Sequence, residues 1–151
     1  MTNSAGQDRV REASSHGRKP NPAFEKAYAF AIRIVNAHRH LCDEKREFVL
    51  SKQFLRSGTA IGANLAEANG AISDADLSAK VSIAYKECQE TKYWLSLLKD
   101  TGYITEGAFE SMHGDADEIA RILFSILRKT RRIRTMNSDH EQSKGQRTEE
   151  P

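Results

Sequence analysis

Few residues of this 151-residue chain have the types and spacing of a catalytic or metal site. Glu110 and His113 make one Glu-x-x-His pattern, whereas a di-iron centre in a helical bundle needs two such patterns and two further glutamates. Cys88 falls at a core position of its predicted helix and has no evident histidine partner, which argues against a nucleophile. We therefore expect no enzyme activity, no cofactor and no metal.

Six cations and no acidic residue lie between Ile119 and Ser138. The helix dipole favours two or three cations at a helix C-terminus but does not account for six. An arginine-rich helix end is typical of a phosphate-binding surface, so we predict salt-sensitive binding to nucleic-acid backbones. We expect no base stacking at this surface. The candidate nucleic-acid-binding residues are Arg121, Arg128, Lys129, Arg131, Arg132 and Arg134.

A pair of carboxylates lies on one flank of the third predicted helix. Glu87 and Glu90 stand between the bulky side chains of Ile83 and Trp94. The flank is either a solvated edge with a partly buried tryptophan or a subunit interface. In the second case, one glutamate would pair with a cation, for which Arg56 is the candidate.

Residues 54–71 form the least charged stretch, with Arg56 and Glu67 as its only charges and eight Gly or Ala among eighteen residues. As a helix it would carry apolar or small side chains round most of its circumference. We therefore predict that it is buried on several sides and shared with other subunits. Ser57 and Asn64 either bond to neighbouring carbonyls or fix the register of the helices. The candidate interface residues are Arg56, Ser57, Asn64, Glu67, Glu87, Glu90 and Trp94.

Four amphipathic segments position these residues, and no proline lies between residues 23 and 150. The expected cap and stop residues are Asn21 before Pro22, Asp43, Ser73 with Asp76, Gly102 and Thr105. The core series expected in the first helix is Phe24, Ala27, Ala31, Ile34, His38 and Leu41. The series expected in the third helix is Leu77, Val81, Ala84, Cys88, Thr91, Leu95 and Leu98. Short connections and a spacing near 3.5 predict an all-α fold, an antiparallel up-down-up-down left-handed four-helix bundle.

Both ends of the chain are polar. We predict disordered tails at 1–21 and 135–151 around a bundle domain at 22–134. There is no apolar region typical of a signal peptide and no run of about 20 apolar residues, so we expect a cytoplasmic protein without membrane contact. Two cysteines do not make a disulfide framework.

Two runs, LSKQFLRSGTAIGANLAEANGA and DLSAKVSIAYKECQETKYWLSLLKDTGYI, resemble the bacterial 23S rRNA intervening-sequence protein family of four-helix bundle proteins. The resemblance covers about residues 24–130 and implies a ring of bundles, typically a homopentamer. Some members are encoded within insertions of large ribosomal RNA genes. A related protein is the accessory partner of the reverse transcriptase in diversity-generating retroelements. The resemblance supplies no catalytic residue.

These observations predict a non-catalytic oligomer that binds RNA or other nucleic acid, including DNA, through its basic surface. The alternative is a protein-interaction scaffold, or an accessory subunit of a reverse transcriptase or other nucleic-acid enzyme, that does not bind nucleic acid itself. The expected partners are other copies of the chain, RNA or DNA, and an enzyme of that kind.

Overall fold

Four helices account for most of the chain in the computed structural model, which describes residues 21–145. They are α1 Pro22–Asp43, α2 Leu50–Ala68, α3 Asp74–Asp100 and α4 Glu106–Gly145. No strand occurs between residues 21 and 145. The all-α bundle prediction is therefore confirmed, while most of the first predicted tail and the last six residues lie outside the described residues. None of the four helices is long and apolar enough to cross a bilayer.

Side-chain caps begin three of the helices where the sequence predicts them. The Phe24 amide donates to Asn21 Oδ1 (3.3 Å) at the start of α1. Ser73 Oγ accepts from the Asp76 amide (3.1 Å), and Thr105 Oγ1 accepts from the Ala108 amide (3.2 Å). These bonds satisfy amides that have no partner within the first helical turn.

The start of α2 differs from the prediction, because Asp43 ends α1 and does not cap α2. The buried Glu47 carboxylate takes that role by accepting from the amides of Val49 (3.0 Å), Leu50 (2.9 Å) and Ser51 (2.7 Å). Burial alone would raise the pKa of Glu47, but these backbone hydrogen bonds outweigh it and lower the pKa. Glu47 is thus held as a charged carboxylate at a helix N-terminus.

Each helix contacts its neighbours in the chain, and α1 also contacts α4. Contacting residues run in opposite orders along each pair, as antiparallel neighbours require. On α1 and α2, Ile34 lies against Gly58 and Ala27 against Gly62. On α1 and α4, Lys26 pairs with Glu118 and Arg33 with Asp115. The left-handed crossing of the helices stays a prediction.

The core confirms the expected α3 series almost throughout but corrects α1. Phe30 and Ala23 are buried in α1, whereas Phe24 and Ala31 are only partly buried. The apolar residues of α1 form two stripes, and the expected core series contains residues of both. Core residues of α1 and α3 are Ala23, Ala27, Phe30, Ile34, Leu41, Val81, Ala84, Cys88, Leu95 and Leu98.

Helix α2 is not sealed on all sides within one chain. It packs between α1 and α3, with Phe54, Ile61 and Leu65 buried. Its third side is exposed along Arg56, Ala63, Ala66 and Glu67, among others. The small residues on that side made the helix look apolar all round, although they do not fill the core. Sharing of α2 with another subunit stays a prediction.

Helix α4 continues past the predicted domain boundary at residue 134 to Gly145. Leu127 is its last buried residue and Thr130 is partly buried, whereas every residue from 131 to 141 is exposed. No proline or glycine interrupts the segment before Gly145, so nothing local ends the helix. The second predicted tail is therefore helical up to 145, and it projects beyond the core.

Candidate functional site

A shallow basic groove of 390 Å³ runs along the exposed side of α4. Its lining consists of four cations, one aromatic and one hydroxyl residue: Arg121, Phe124, Ser125, Arg128, Lys129 and Arg132. Arg121, Arg128 and Arg132 recur at intervals of seven and four residues, so their side chains emerge on one side of the helix. From Arg121 to Arg132 this line of cations extends about 16 Å along the helix axis, at 1.5 Å per residue.

Most of the charge in this groove is uncompensated. Arg121 Nε lies 3.5 Å from Asp117 Oδ2, but Asp117 also accepts a hydrogen bond from Lys92 Nζ (2.8 Å). That bond from Lys92, more than the neighbouring Arg121, lowers the pKa of Asp117. Within the described residues, no ion pair involves the predicted cations at 128–134. The local field is therefore strongly positive.

The six predicted cations do not share one surface. Arg131 and Arg134 lie outside the groove. At 100° per residue, Arg134 lies on the same side of α4 as Leu127, seven residues earlier, which is the side that faces the core. No core lies beside Arg134, since α4 has already left the bundle, so both side chains are exposed. The cations form a four-member line and two further charges around the projecting helix.

Two residues of the groove, Phe124 and Ser125, were not among the predicted binding residues, and Phe124 is the aromatic one. It follows Arg121 by three positions and precedes Arg128 by four, and its side chain is 49% exposed. Its ring centroid lies 6.0 Å from that of Tyr85 on α3, at an interplanar angle of 37°. The expectation of no base stacking overlooked this residue, and the structure places an aromatic face among the arginines.

The predicted interface pair forms inside a single chain. The Arg56 guanidinium donates to Glu90 and lies 3.7 Å from Glu87 Oε1, while Trp94 Nε1 donates to Glu90 Oε1 (3.1 Å). The hydrogen bonds from Arg56 and then from Trp94 lower the pKa of Glu90. The four residues therefore tie α2 to α3 within the protomer. Glu87 Oε2 is buried without a hydrogen-bond donor among the described residues.

The other predicted interface residues, Ser57, Asn64 and Glu67, also have partners within the same chain. Ser57 is completely buried, with its hydroxyl 3.0 Å from that of Thr91, so it has no surface to offer a second subunit. Asn64 Nδ2 donates to the Ala60 carbonyl (2.9 Å) and Ser57 Oγ to the Phe54 carbonyl (3.3 Å), so both make the bond to a neighbouring carbonyl that was one of the two roles considered for them. Glu67 is exposed and pairs with Lys80 of α3.

The residues considered for catalysis do not converge. Burial raises the pKa of the Cys88 thiol to about 12, so it remains protonated at neutral pH. His38 Nδ1 lies 3.1 Å from the Ser51 carbonyl oxygen, as a hydrogen-bonded core histidine should. His113 stacks against Phe109 at 5.0 Å between ring centroids. Among the described residues, no three His, Cys, Asp or Glu side chains are placed to hold a metal ion.

Comparison with known proteins identifies the family. The profile of the 23S rRNA-intervening sequence protein family matches residues 19–125, which include all of α1, α2 and α3 and half of α4. This chain belongs to that family. The related protein of diversity-generating retroelements stays a resemblance only.

A solved structure supports the same family assignment for this intervening-sequence protein. It is a protein of unknown function from the S23 ribosomal protein family of Bacteroides thetaiotaomicron VPI-5482. The two chains are 51% identical, with a TM-score of 0.69 over 70% of this chain and 97% of the other. No curated protein matches this chain. The family match ends at residue 125, so Arg121 and Phe124 lie within it and the cations from Arg128 onward lie beyond it.

Proposed function

We propose that this protein is a non-catalytic, self-associating four-helix bundle of the cytoplasm that binds RNA, or another nucleic acid, through the basic side of α4. The observation that carries the proposal is the line of four cations in the α4 groove, in which only Arg121 has an acidic neighbour among residues 21–145. A backbone of phosphates is the polyanion that such a line fits best. The groove lies on the exposed side of α4, so a polyanion can reach it from solvent.

Self-association is supported by a second apolar stripe on α1. Tyr28, Ile32 and Val35 are 60%, 51% and 38% exposed, and they line a shallow depression with Ala31 and Asn36. A stripe without charge on an exposed helix is suited to contact with another protein surface. A ring of five copies, the number expected from the family resemblance, would repeat the basic helix five times and multiply its attraction for a long polyanion.

Salt dependence of RNA binding tests the nucleic-acid proposal. We expect the logarithm of the association constant, measured by fluorescence anisotropy with a labelled RNA, to fall linearly with the logarithm of salt concentration. Replacing Arg128, Arg131 and Arg132 together by Gln should weaken binding. It should also reduce the slope by about 0.7 for each phosphate of a single strand that the protein no longer neutralises.

The matched control removes the same charge from the other end of the bundle. Arg39, Lys45 and Lys52 are exposed cations near the C-terminus of α1 and the N-terminus of α2. Their triple Gln variant should keep both the affinity and the slope of the unaltered protein. Equal losses in the two triple variants would mean that net charge, rather than the α4 groove, governs binding.

The alternative function is a protein-interaction scaffold or an accessory subunit of a reverse transcriptase or similar enzyme. The α1 stripe of Tyr28, Ile32 and Val35 favours it, because apolar side chains contribute to protein contacts and not to phosphate binding. RNA binding that is undetectable at low salt, with no effect of the arginine substitutions, would support this alternative over the first.

A further inference from the structure

Phe124 differs from the other exposed aromatic side chains in the charges around it. Arg121 and Arg128 lie about one turn before and one turn after it, and all three line the same groove. Exposed apolar residues that occur singly on a surface need no special explanation. An exposed ring between two guanidinium groups, inside a groove without acidic lining, is a combination that single-stranded nucleic-acid sites use.

Tyr85 holds the Phe124 ring from one side. Tyr85 is partly buried and packs against the bundle core, and its ring lies 6.0 Å from that of Phe124. The contact restricts the rotamers of Phe124 while about half of its surface remains exposed. A ring already held in place loses little conformational entropy when a flat group stacks on it.

We propose that the α4 groove binds single-stranded nucleic acid, with an unpaired base stacked on Phe124 and neighbouring phosphates held by Arg121 and Arg128. This inference rests on the proposed function and adds the class of ligand. Bases of a regular duplex are stacked on each other and cannot reach a side chain in this way, so a duplex would use the cations alone. A single strand gains both interactions.

Binding of a single-stranded RNA and of a perfect RNA duplex of equal length, at one fixed low salt concentration, tests the inference with the full-length protein. Phe124→Leu keeps an apolar side chain but removes the aromatic face. We expect it to weaken single-strand binding about tenfold, within the range known for base–aromatic stacking, and to leave duplex binding unchanged. In a separate series at varied salt concentration, the slope for single-strand binding should be the same with and without the substitution, because the arginines still neutralise the same phosphates.

Phe48→Leu provides the matched control. Phe48 is 52% exposed, close to the value for Phe124, and it too has an arginine nearby, with Arg46 Cζ 5.2 Å from the ring centroid. It lies in the α1–α2 connection, away from the groove. Its replacement should change neither affinity. Phe124→Trp should restore single-strand binding, which a loss caused by misfolding would not allow.

The outcomes separate this inference from the proposed function. If Phe124→Leu leaves single-strand affinity unchanged, or weakens duplex binding as much, base stacking is refuted while salt-dependent binding through the arginines still supports the broader proposal. If neither RNA binds at low salt, both are refuted. Stacking is supported if the unaltered protein, Phe48→Leu and Phe124→Trp all bind the single strand more tightly than the duplex and Phe124→Leu does not.

Discussion

Replacing Gly58 by alanine tests the close approach of α1 and α2. A Cβ atom added at Gly58 would lie 2.7–2.8 Å from three side-chain carbons of Ile34, including both branches of that side chain. Rotation of one branch therefore cannot relieve the contact, because Ile34 is completely buried among its neighbours. We expect an overpacking cost of about 1–3 kcal/mol in the free energy of unfolding.

The helix itself opposes this cost. Alanine in a helix interior is more favourable than glycine by about 1 kcal/mol, so the net effect of Gly58→Ala ranges from about 0 to 2 kcal/mol of destabilisation. Gly62→Ala is the control, since its added Cβ would make ordinary contacts of 3.7–3.9 Å with Ala27. It should gain the helix preference of about 1 kcal/mol without the clash.

The difference between the two variants isolates the packing term, because both carry the same substitution in the same helix. Urea unfolding followed by circular dichroism, at one fixed protein concentration, should give Gly62→Ala a free energy of unfolding about 1–3 kcal/mol higher than that of Gly58→Ala. Equal stabilities, or a more stable Gly58→Ala protein, would refute the packing described for α1 and α2. In an Ile34→Ala background the difference should vanish, because the clashing atoms are then absent.

Two further predictions concern the charged groups of the bundle. Glu47 has a lowered pKa in the folded protein, so its stabilisation is present above the ordinary glutamate value of about 4.3 and is lost as the pH falls through the folded value. Glu47→Gln should lower the free energy of unfolding by about 1 kcal/mol at neutral pH, and that free energy should then decrease less between about pH 5 and 3 than it does in the unaltered protein. Glu44→Gln, at an exposed position, should leave that acid dependence intact. Arg56→Ala should destabilise the protein by less than about 1 kcal/mol, since its pair with Glu90 is half exposed, yet lower the oligomer mass in sedimentation more than Lys52→Ala. Equal masses for those two variants would contradict a role of Arg56 in assembly.

The predictability of each helix from sequence follows from how its apolar residues are arranged. Helix α3 has one continuous apolar stripe at core spacing, and six of its seven expected core residues are buried. Helix α1 carries two stripes, so periodicity alone did not decide whether Phe24 or Phe30 enters the core. In α2 the exposed Ala63 and Ala66 were indistinguishable by type from the buried Ala68.

The candidate sites show a similar division. Caps by short polar residues were predictable from type and position, as at Asn21 and Ser73, whereas the Glu47 cap was not. Its long side chain reaches the start of α2 only because the connection folds back and buries it. The Arg56–Glu90 pair was predictable as a pair, but its location within one chain depends on α2 and α3 being neighbours.

Family membership and the basic groove support different conclusions, although they overlap in the chain: Arg121 and Phe124 lie within the family match, and the cations from Arg128 onward lie beyond it. The family match ends at residue 125 and the last buried residue of the bundle is Leu127. Most of the cations follow on a helix segment in which only Thr130, among residues 128–141, is even partly buried. Substitutions there cost the core little, so the bundle can remain unchanged while the charge of its projecting helix varies. The fold is thus a property shared with the family, whereas nucleic-acid binding has to be argued from Phe124 and the arginines of this chain.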